Sequence, residues 1–391
     1  MSIHVFTDPS PRSTRSRRAV PFSSALPVVD LGKALASQLI VWHHLALYGP
    51  MCEVADALAP ELRAWLIDNG RLAVQVFLVM AGFLAARSVV PHPGAATRTG
   101  TGMGHAVVDF VASIGRRFWR LAVPYWIALL AALLAAWCAR ALIDHPTIPA
   151  EPTWLQGIAN ALMMQDIAGM AALSAGVWYV AIDLQLFAMV ALLGLLRQGC
   201  EGAARTVLTV SLVLGAVLSS LLVFNLDTSL DAWAIYFAGS YGMGMLAQWA
   251  VASRPAARVS WLLVLLALTG AAMLTEWRER ILLAGLCALV LALLVPLPLA
   301  LPRRLAALAA WLARISYAVF LLHYPVLLLT GAVIGAWWPD SPVAHAAGLG
   351  LAWSLSLLAG WGLQAGLEAW ARWRRQASRS GVDDQRAAVP G

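Results

Sequence analysis

Charge is what this chain lacks. Asp, Glu, Lys and Arg together make up 12% of its 391 residues, about half the share of a soluble domain. That excludes an ordinary water-soluble globular protein. Lysine is almost missing: Lys33 stands alone against 26 arginines. Cysteine is sparse, and Cys52, Cys138, Cys200 and Cys287 have no CxxC spacing. That argues against a disulfide framework or a structural zinc site, so no metal is expected. The formal net charge is +7, yet no basic patch forms, because the arginines fall in the gaps between apolar runs. Nucleic acid is therefore not an expected partner. Abundant Ala with Arg in place of Lys points to a GC-rich bacterial genome.

What is present is apolar. The chain is 61% hydrophobic with a mean hydropathy of +0.74. Its apolar runs are near 20 residues, not ten with alternation, so it reads as an all-α, polytopic integral membrane protein. Ten segments are expected to cross, near 25–47, 70–90, 121–141, 177–196, 205–224, 232–251, 259–274, 281–300, 313–335 and 345–368. With the N-terminus cytoplasmic, 21 arginines fall on the cytoplasmic side and five, Arg63, Arg71, Arg140, Arg278 and Arg280, on the other. That partition fits the positive-inside rule with both termini inside. Residues 1–24 form a polar, basic cytoplasmic segment; 25–370 form the membrane domain; 371–391 form a basic, disordered cytoplasmic tail. The first run is too long for a signal-peptide core and lacks a clear small-residue cleavage site, so it is read as a retained helix. Outside, 54–67 is expected to hold a short amphipathic helix, and 154–171 a re-entrant or interfacial piece.

Few ionisable residues fall inside the apolar runs: Lys33, His43, His44, Asp183 and His323. Lys33 and His44 are eleven residues apart, so they share a helix face about 16 Å apart along the axis. Ser37 lies on that face too. Any one of these residues can be read blandly, as a helix-end group reaching for the headgroups. Together they point to a polar chamber lined by the first, fourth and ninth segments, since ionisable groups in lipid need partners and mark function. His43 points about 100° away from His44, so only one of the pair faces the chamber squarely. The run Arg116-Arg117-Phe118-Trp119-Arg120 reads as a positive-inside anchor, or as an anion site with Arg117 and Arg120 on one face. Gln75 and the small pair Ala81-Gly82 favour close helix packing.

These pieces, in this order, resemble the acyltransferase-3 family of integral membrane acyltransferases over residues 25–370. Asp30-Leu31-Gly32-Lys33, ten further residues and His44 look like the family's arginine–histidine motif, with lysine for arginine. Phe77 to Phe83 looks like its second-helix motif, with Ala81 for serine. Arg117, Arg120, Pro124 and Tyr125 match its arginine-rich third helix. Trp178 with Asp183 matches its tryptophan–glutamate motif, with aspartate for glutamate. Ile315-Ser316-Tyr317, His323 and Pro325 match its last motif, with Phe320 where tyrosine is common. Lysine cannot make arginine's bidentate fork.

The resemblance implies an O-acyltransferase of the bacterial inner membrane. It would move an acyl group, acetyl above all, from cytoplasmic acyl-CoA to a hydroxyl of a glycan or other small acceptor, with no bound cofactor. Transfer across the bilayer is common among proteins of this kind. Histidine suits the part of base for a hydroxyl, and His44 is assigned to it. Asp183 would orient that imidazole and Lys33 would stabilise the thioester oxygen. Arg117 and Arg120 would hold the CoA phosphates, while His323, Tyr317, Ser316 and Trp178 would line the substrate path. A covalent acyl-histidine route is also open. Two rival classes are a proton-coupled transporter or flippase, which a buried Lys/His/Asp set also describes, and an inactive acyltransferase-like protein. Against a carrier, the halves show no repeat symmetry and no matched pair of Gly/Pro-broken helices.

Overall fold

A computed structural model describes residues 26–89 and 103–387. The basic segment 1–24 with its arginines, and Arg98, lie outside the described residues. The helices, in chain order, are α1 (Pro27–Leu47), α2 (Pro50–Ala55), α3 (Pro60–Gly70), α4 (Ala73–Val89), α5 (Met103–Leu142), α6 (Trp154–Ala161), α7 (Trp178–Leu196), α8 (Gly202–Leu222), α9 (Ala234–Ala252), α10 (Pro255–Thr275), α11 (Glu279–Leu294), α12 (Arg303–Trp337) and α13 (Pro342–Ala387). No strand occurs among the described residues. Proline opens α1, α2, α3 and α10, where its missing N–H is one that a helix start leaves unused anyway.

Each of the ten expected segments coincides with a helix. Among the described residues, seven stretches are long and apolar enough to cross a membrane: Pro60–Arg87, which runs from α3 into α4, then Gly104–Leu142, Trp178–Leu196, Gly202–Leu226, Pro255–Thr275, Arg303–Trp337 and Pro342–Gln376. Three of the ten fall short for separate reasons. α1 carries Asp30, Lys33, Gln38 and two histidines. α9 carries two tyrosines, Ser240, Gln248 and three glycines. α11 has only 16 residues.

Helix ends depart from the sequence reading in one direction. α5 begins at Met103 and α12 at Arg303, each before its apolar run, and α13 continues to Ala387, through the tail that composition marks as disordered. The reason is common to all three. Apolarity marks the part of a helix that lipid can cover, whereas Arg, Gln, Glu and Ala continue a helix in water just as well. On α13, Glu368 accepts from Gln364 and lies 4.0 Å from Arg372, both one turn away. The two pieces expected outside the membrane also resolve into more elements than the sequence suggests. The segment 54–67 is split between α2 and α3 by a 3-10 turn at Asp56–Leu58, and the interfacial piece is the short α6 followed by an irregular loop.

Two helices act as hubs. α9 is buried along nearly its whole length and is surrounded by α4, α7, α8, α10 and α11. α12 packs against α13, α1 and α5, and α1 in turn touches α3 and α4. A helix enclosed by others packs closely only through small residues, and α9 has them where its neighbours cross. At the α4–α9 crossing, a Cβ on Gly82 would strike the carbonyl of Tyr241, and one on Gly244 the carbonyl of Val79. Ser240 Oγ donates to Gln75 Oε1 at 2.7 Å across the same crossing. Backbone cannot swing aside as a side chain can. Gly244→Ala should therefore push α4 and α9 apart and cost about 1–3 kcal/mol, read as a lower melting temperature in detergent.

Candidate active site

The two hubs bring three helices to one place. α1 presents His44 near its C-terminal end, α12 presents His323, and the loop running into α7 presents Gly176. His44 and His323 are both buried, the latter completely. His44 Nδ1 lies 2.7 Å from His323 Nε2, and the ring planes are 9° from parallel. His323 Nδ1 lies 2.6 Å from the carbonyl oxygen of Phe320.

That last contact decides the protons. A carbonyl oxygen only accepts, so His323 Nδ1 carries its hydrogen and, in the neutral ring, His323 Nε2 is the acceptor. His44 Nδ1 must then donate to it. The network leaves His44 Nε2 bare, as a basic lone pair. Pro325, two residues on, lies inside α12. A proline there removes a backbone donor and loosens the local ladder.

His43 faces elsewhere. Its Nδ1 donates to the Leu66 carbonyl at 2.9 Å, and its ring lies against Gly70. A step of about 100° around the helix thus separates a histidine committed to α3 from one committed to the chamber.

Gly176 seals the other side of His44. Its φ is +77°, and a Cβ there would lie 2.7 Å from Phe320 Cζ and 3.4 Å from His44 Cε1. Glycine is needed on both counts. Gly176→Ala should cost about 1–2 kcal/mol in backbone strain. It should also shift Phe320 and His44 enough to lower acyl transfer on the order of 100-fold, measured as turnover of purified protein.

The loop holding Gly176 is pinned. Tyr125 Oη donates to the Asn160 carbonyl at 2.9 Å and Trp126 Nε1 to the Ala161 carbonyl at 2.8 Å. Asn160, fully buried, donates to the Gln156 and Ala171 carbonyls and accepts from the Leu173 amide. Tyr48, 5.8 Å from His44, meets Tyr324 edge-on and completes the cover over the pair. In this loop Gln165 Nε2 donates to Asp166, whose carboxyl is pushed up by burial.

On the side away from that loop, Tyr179 fills the next layer between Phe77 and Phe320. Below it Asp183 meets Arg117 at 2.5 Å, with side-chain exposures of 12% and 19%. The guanidinium also lies over the ring of Phe187. The expected contact between Asp183 and His44 is therefore replaced. Asp183 sits five residues down α7 from Trp178, about 7.5 Å along the axis, level with Arg117 and below the histidines. His323 holds the imidazole instead. Arg120 is exposed and lies within electrostatic range of Arg117, Asp183 and Tyr317. Tyr317 Oη donates to the Leu121 carbonyl at 3.3 Å.

The other expected site residues lie apart from the histidine pair. Lys33 lies about 16 Å from His44 by helical rise, partly buried, with Asp30 as its charged neighbour. Trp178 packs on Phe237 of α9, and Ser316 spends its hydroxyl on the Ala313 carbonyl of its own helix. Gly176, Tyr179 and Tyr241 do not stand out in the sequence. A glycine before an aromatic pair at a helix start is the one available signal for Gly176. Among the described residues no group of three or more His, Cys, Asp or Glu is arranged to hold a metal ion.

Removing Asp183 would leave Arg117 charged, largely buried and unpaired. Asp183→Ala should cost about 3 kcal/mol. The double change Arg117→Leu with Asp183→Leu should recover most of that in thermal unfolding without recovering activity.

A helical protein with several stretches fit to cross a membrane, and an imidazole with one nitrogen bare and the other held by a second, buried histidine, belongs to the class of multi-pass membrane proteins with a candidate acid–base centre. The chain itself is a member of the acyltransferase-3 family: the family model described as an acyltransferase domain matches residues 26–361. It is thus a membrane acyltransferase in the general sense. Comparisons with curated proteins and with solved structures gave no match.

Proposed function

We propose that this protein moves an acyl group, acetyl in the simplest case, from cytoplasmic acyl-CoA to a hydroxyl of a glycan or other small acceptor. The observation that carries the reading is the His44–His323–Phe320 hydrogen-bond chain, which leaves His44 Nε2 free to act as base. In the step we infer, Nε2 takes the hydroxyl proton as that oxygen attacks the thioester carbonyl. The C–S bond then breaks, and the imidazolium returns the proton to the departing thiolate. His323 takes the positioning part that a carboxylate plays in a triad, holding Nδ1 and sharing the transient charge. Arg120, exposed beside a neutralised Arg117, suits the phosphates of the donor. Lys33, on the inward side of the same α1 face, suits the donor as well.

All ten long helices are proposed to cross a bacterial inner membrane, with both termini cytoplasmic. The arginine partition and the coincidence of all ten apolar runs with helices support this. The experiment is release of free CoA from labelled acetyl-CoA by purified protein in lipid vesicles, with and without candidate acceptors. Transfer or slow hydrolysis supports the enzyme; CoA-independent uptake of solute into the vesicles would favour the carrier instead.

A further inference from the structure

One cavity is not used by the chemistry above. α7 and α8 both pack on α9, and a crevice of about 150 Å³ stays open between them. Its floor includes Val217, Ala238 and Gly242, and its walls Met189, Leu193 and Ala216. Gly242 lets α8 close on α9 beneath the crevice, because a Cβ there would run into the side chain of Val217. Leu192, Leu196 and Leu212 at the lip are 42%, 54% and 38% exposed, so the crevice opens toward the bilayer.

The crevice ends near the Arg117–Asp183 pair. Tyr241 belongs to its lining and is also an electrostatic neighbour of both Asp183 and Arg117. Leu186, at one end of the lining, is one turn from Asp183; Leu196, at the other, is ten residues further down α7. The slot therefore runs about 15 Å along the helix, from the ion pair toward the end of α7. It combines apolar walls, elongated form, lipid access and polar groups at one end only. That is the form of a site for a chain with a polar head.

We propose that this crevice holds one hydrocarbon chain of a substrate, with the polar end of the same molecule beside the Arg117–Asp183 pair. The inference rests on the acyltransfer reading above and narrows it. At least one substrate, a long-chain acyl donor or a lipid-borne acceptor, is drawn from within the bilayer. A short acyl group has no use for the slot.

The test uses the full chain in phosphatidylcholine vesicles with a diazirine-bearing palmitate, and maps crosslinks by mass spectrometry. Labelling should concentrate on Met189, Leu193 and Met245. It should fall at least tenfold in Ala216→Trp, which fills the slot, with Ala216→Leu as the milder variant should the larger side chain disturb packing. A melting temperature close to that of the unaltered protein shows that the helices still pack. Competition by palmitoyl-CoA identifies the chain as the donor's, and competition by a long-chain alkyl glycoside identifies it as the acceptor's. Labelling that neither competes away, or that spreads equally over the lipid face of α10, means annular lipid only and overturns the proposal. If crevice labelling is competed normally while no acyl transfer occurs with any donor, the chain site stands and the acyltransfer reading fails.

Discussion

His44→Ala should abolish acyl transfer while leaving the protein folded and inserted. Among the described residues, the imidazole is the one group with an unencumbered basic nitrogen between the pinned loop and the ion pair. Loss of a positioned general base typically costs 10²- to 10⁴-fold, and alanine offers no substitute. Folding should survive, because α1 is held to α12 and α4 along its whole buried face and not through this ring alone. The control is His43→Ala. His43 gives its proton to the Leu66 carbonyl, so its loss should lower the melting temperature and leave turnover within a few-fold. The measurement is CoA release by both variants at matched amounts of folded protein. An active His44→Ala beside an inactive His43→Ala would reverse the assignment of the two neighbours.

His323 carries the second large effect, and it acts through His44. In His323→Ala the Nδ1 hydrogen of His44 has no acceptor, and the ring is free to rotate or to take the other tautomer. Turnover should fall by about 10²- to 10⁴-fold, the range seen when the orienting member of a triad is changed. KM for acyl-CoA should move little, because His323 is fully buried and donates its own proton to the Phe320 carbonyl. His323→Gln tells positioning from packing. Its amide oxygen can accept from Nδ1, so it should recover part of the lost turnover. His323→Phe, which fills the space but accepts nothing, should not. Equal activity in the Gln and Phe variants would reduce His323 to a packing residue.

The membrane character and nearly all the long helices are legible in the sequence, because an apolar run of about 20 residues suits a lipid-spanning helix and little else. The costly residues stand out there too, one by one. What a sequence does not display is the pairing. His44 and His323 are 279 residues apart, and Arg117 and Asp183 are 66 apart. Which polar group meets which is settled by how α1, α5, α7 and α12 pack around one another. Asp183 shows the consequence. By residue type it suits an imidazole as well as a guanidinium, and only its depth on α7 sends it to Arg117. Gly176 is hidden for a different reason. Its importance lies in a positive φ and in two rings above it, neither of which has a local pattern. The early starts of α5 and α12 are hidden because apolarity reports on lipid and not on helix.

The Arg117–Asp183 pair has a bearing on energetics at the scale of the whole membrane. A lone guanidinium in that place would sense the transmembrane voltage, at about 2.3 kcal/mol per charge for each 100 mV traversed. With its counter-ion 2.5 Å away, the arginine sits in the field as a dipole and not as a net charge. In the proposed step the histidines above it begin and end neutral, and forming an ester from a thioester and a hydroxyl displaces no net charge. Acyl transfer should therefore run at the same rate in polarised and depolarised vesicles. A carrier coupled to proton movement would slow as the voltage is collapsed.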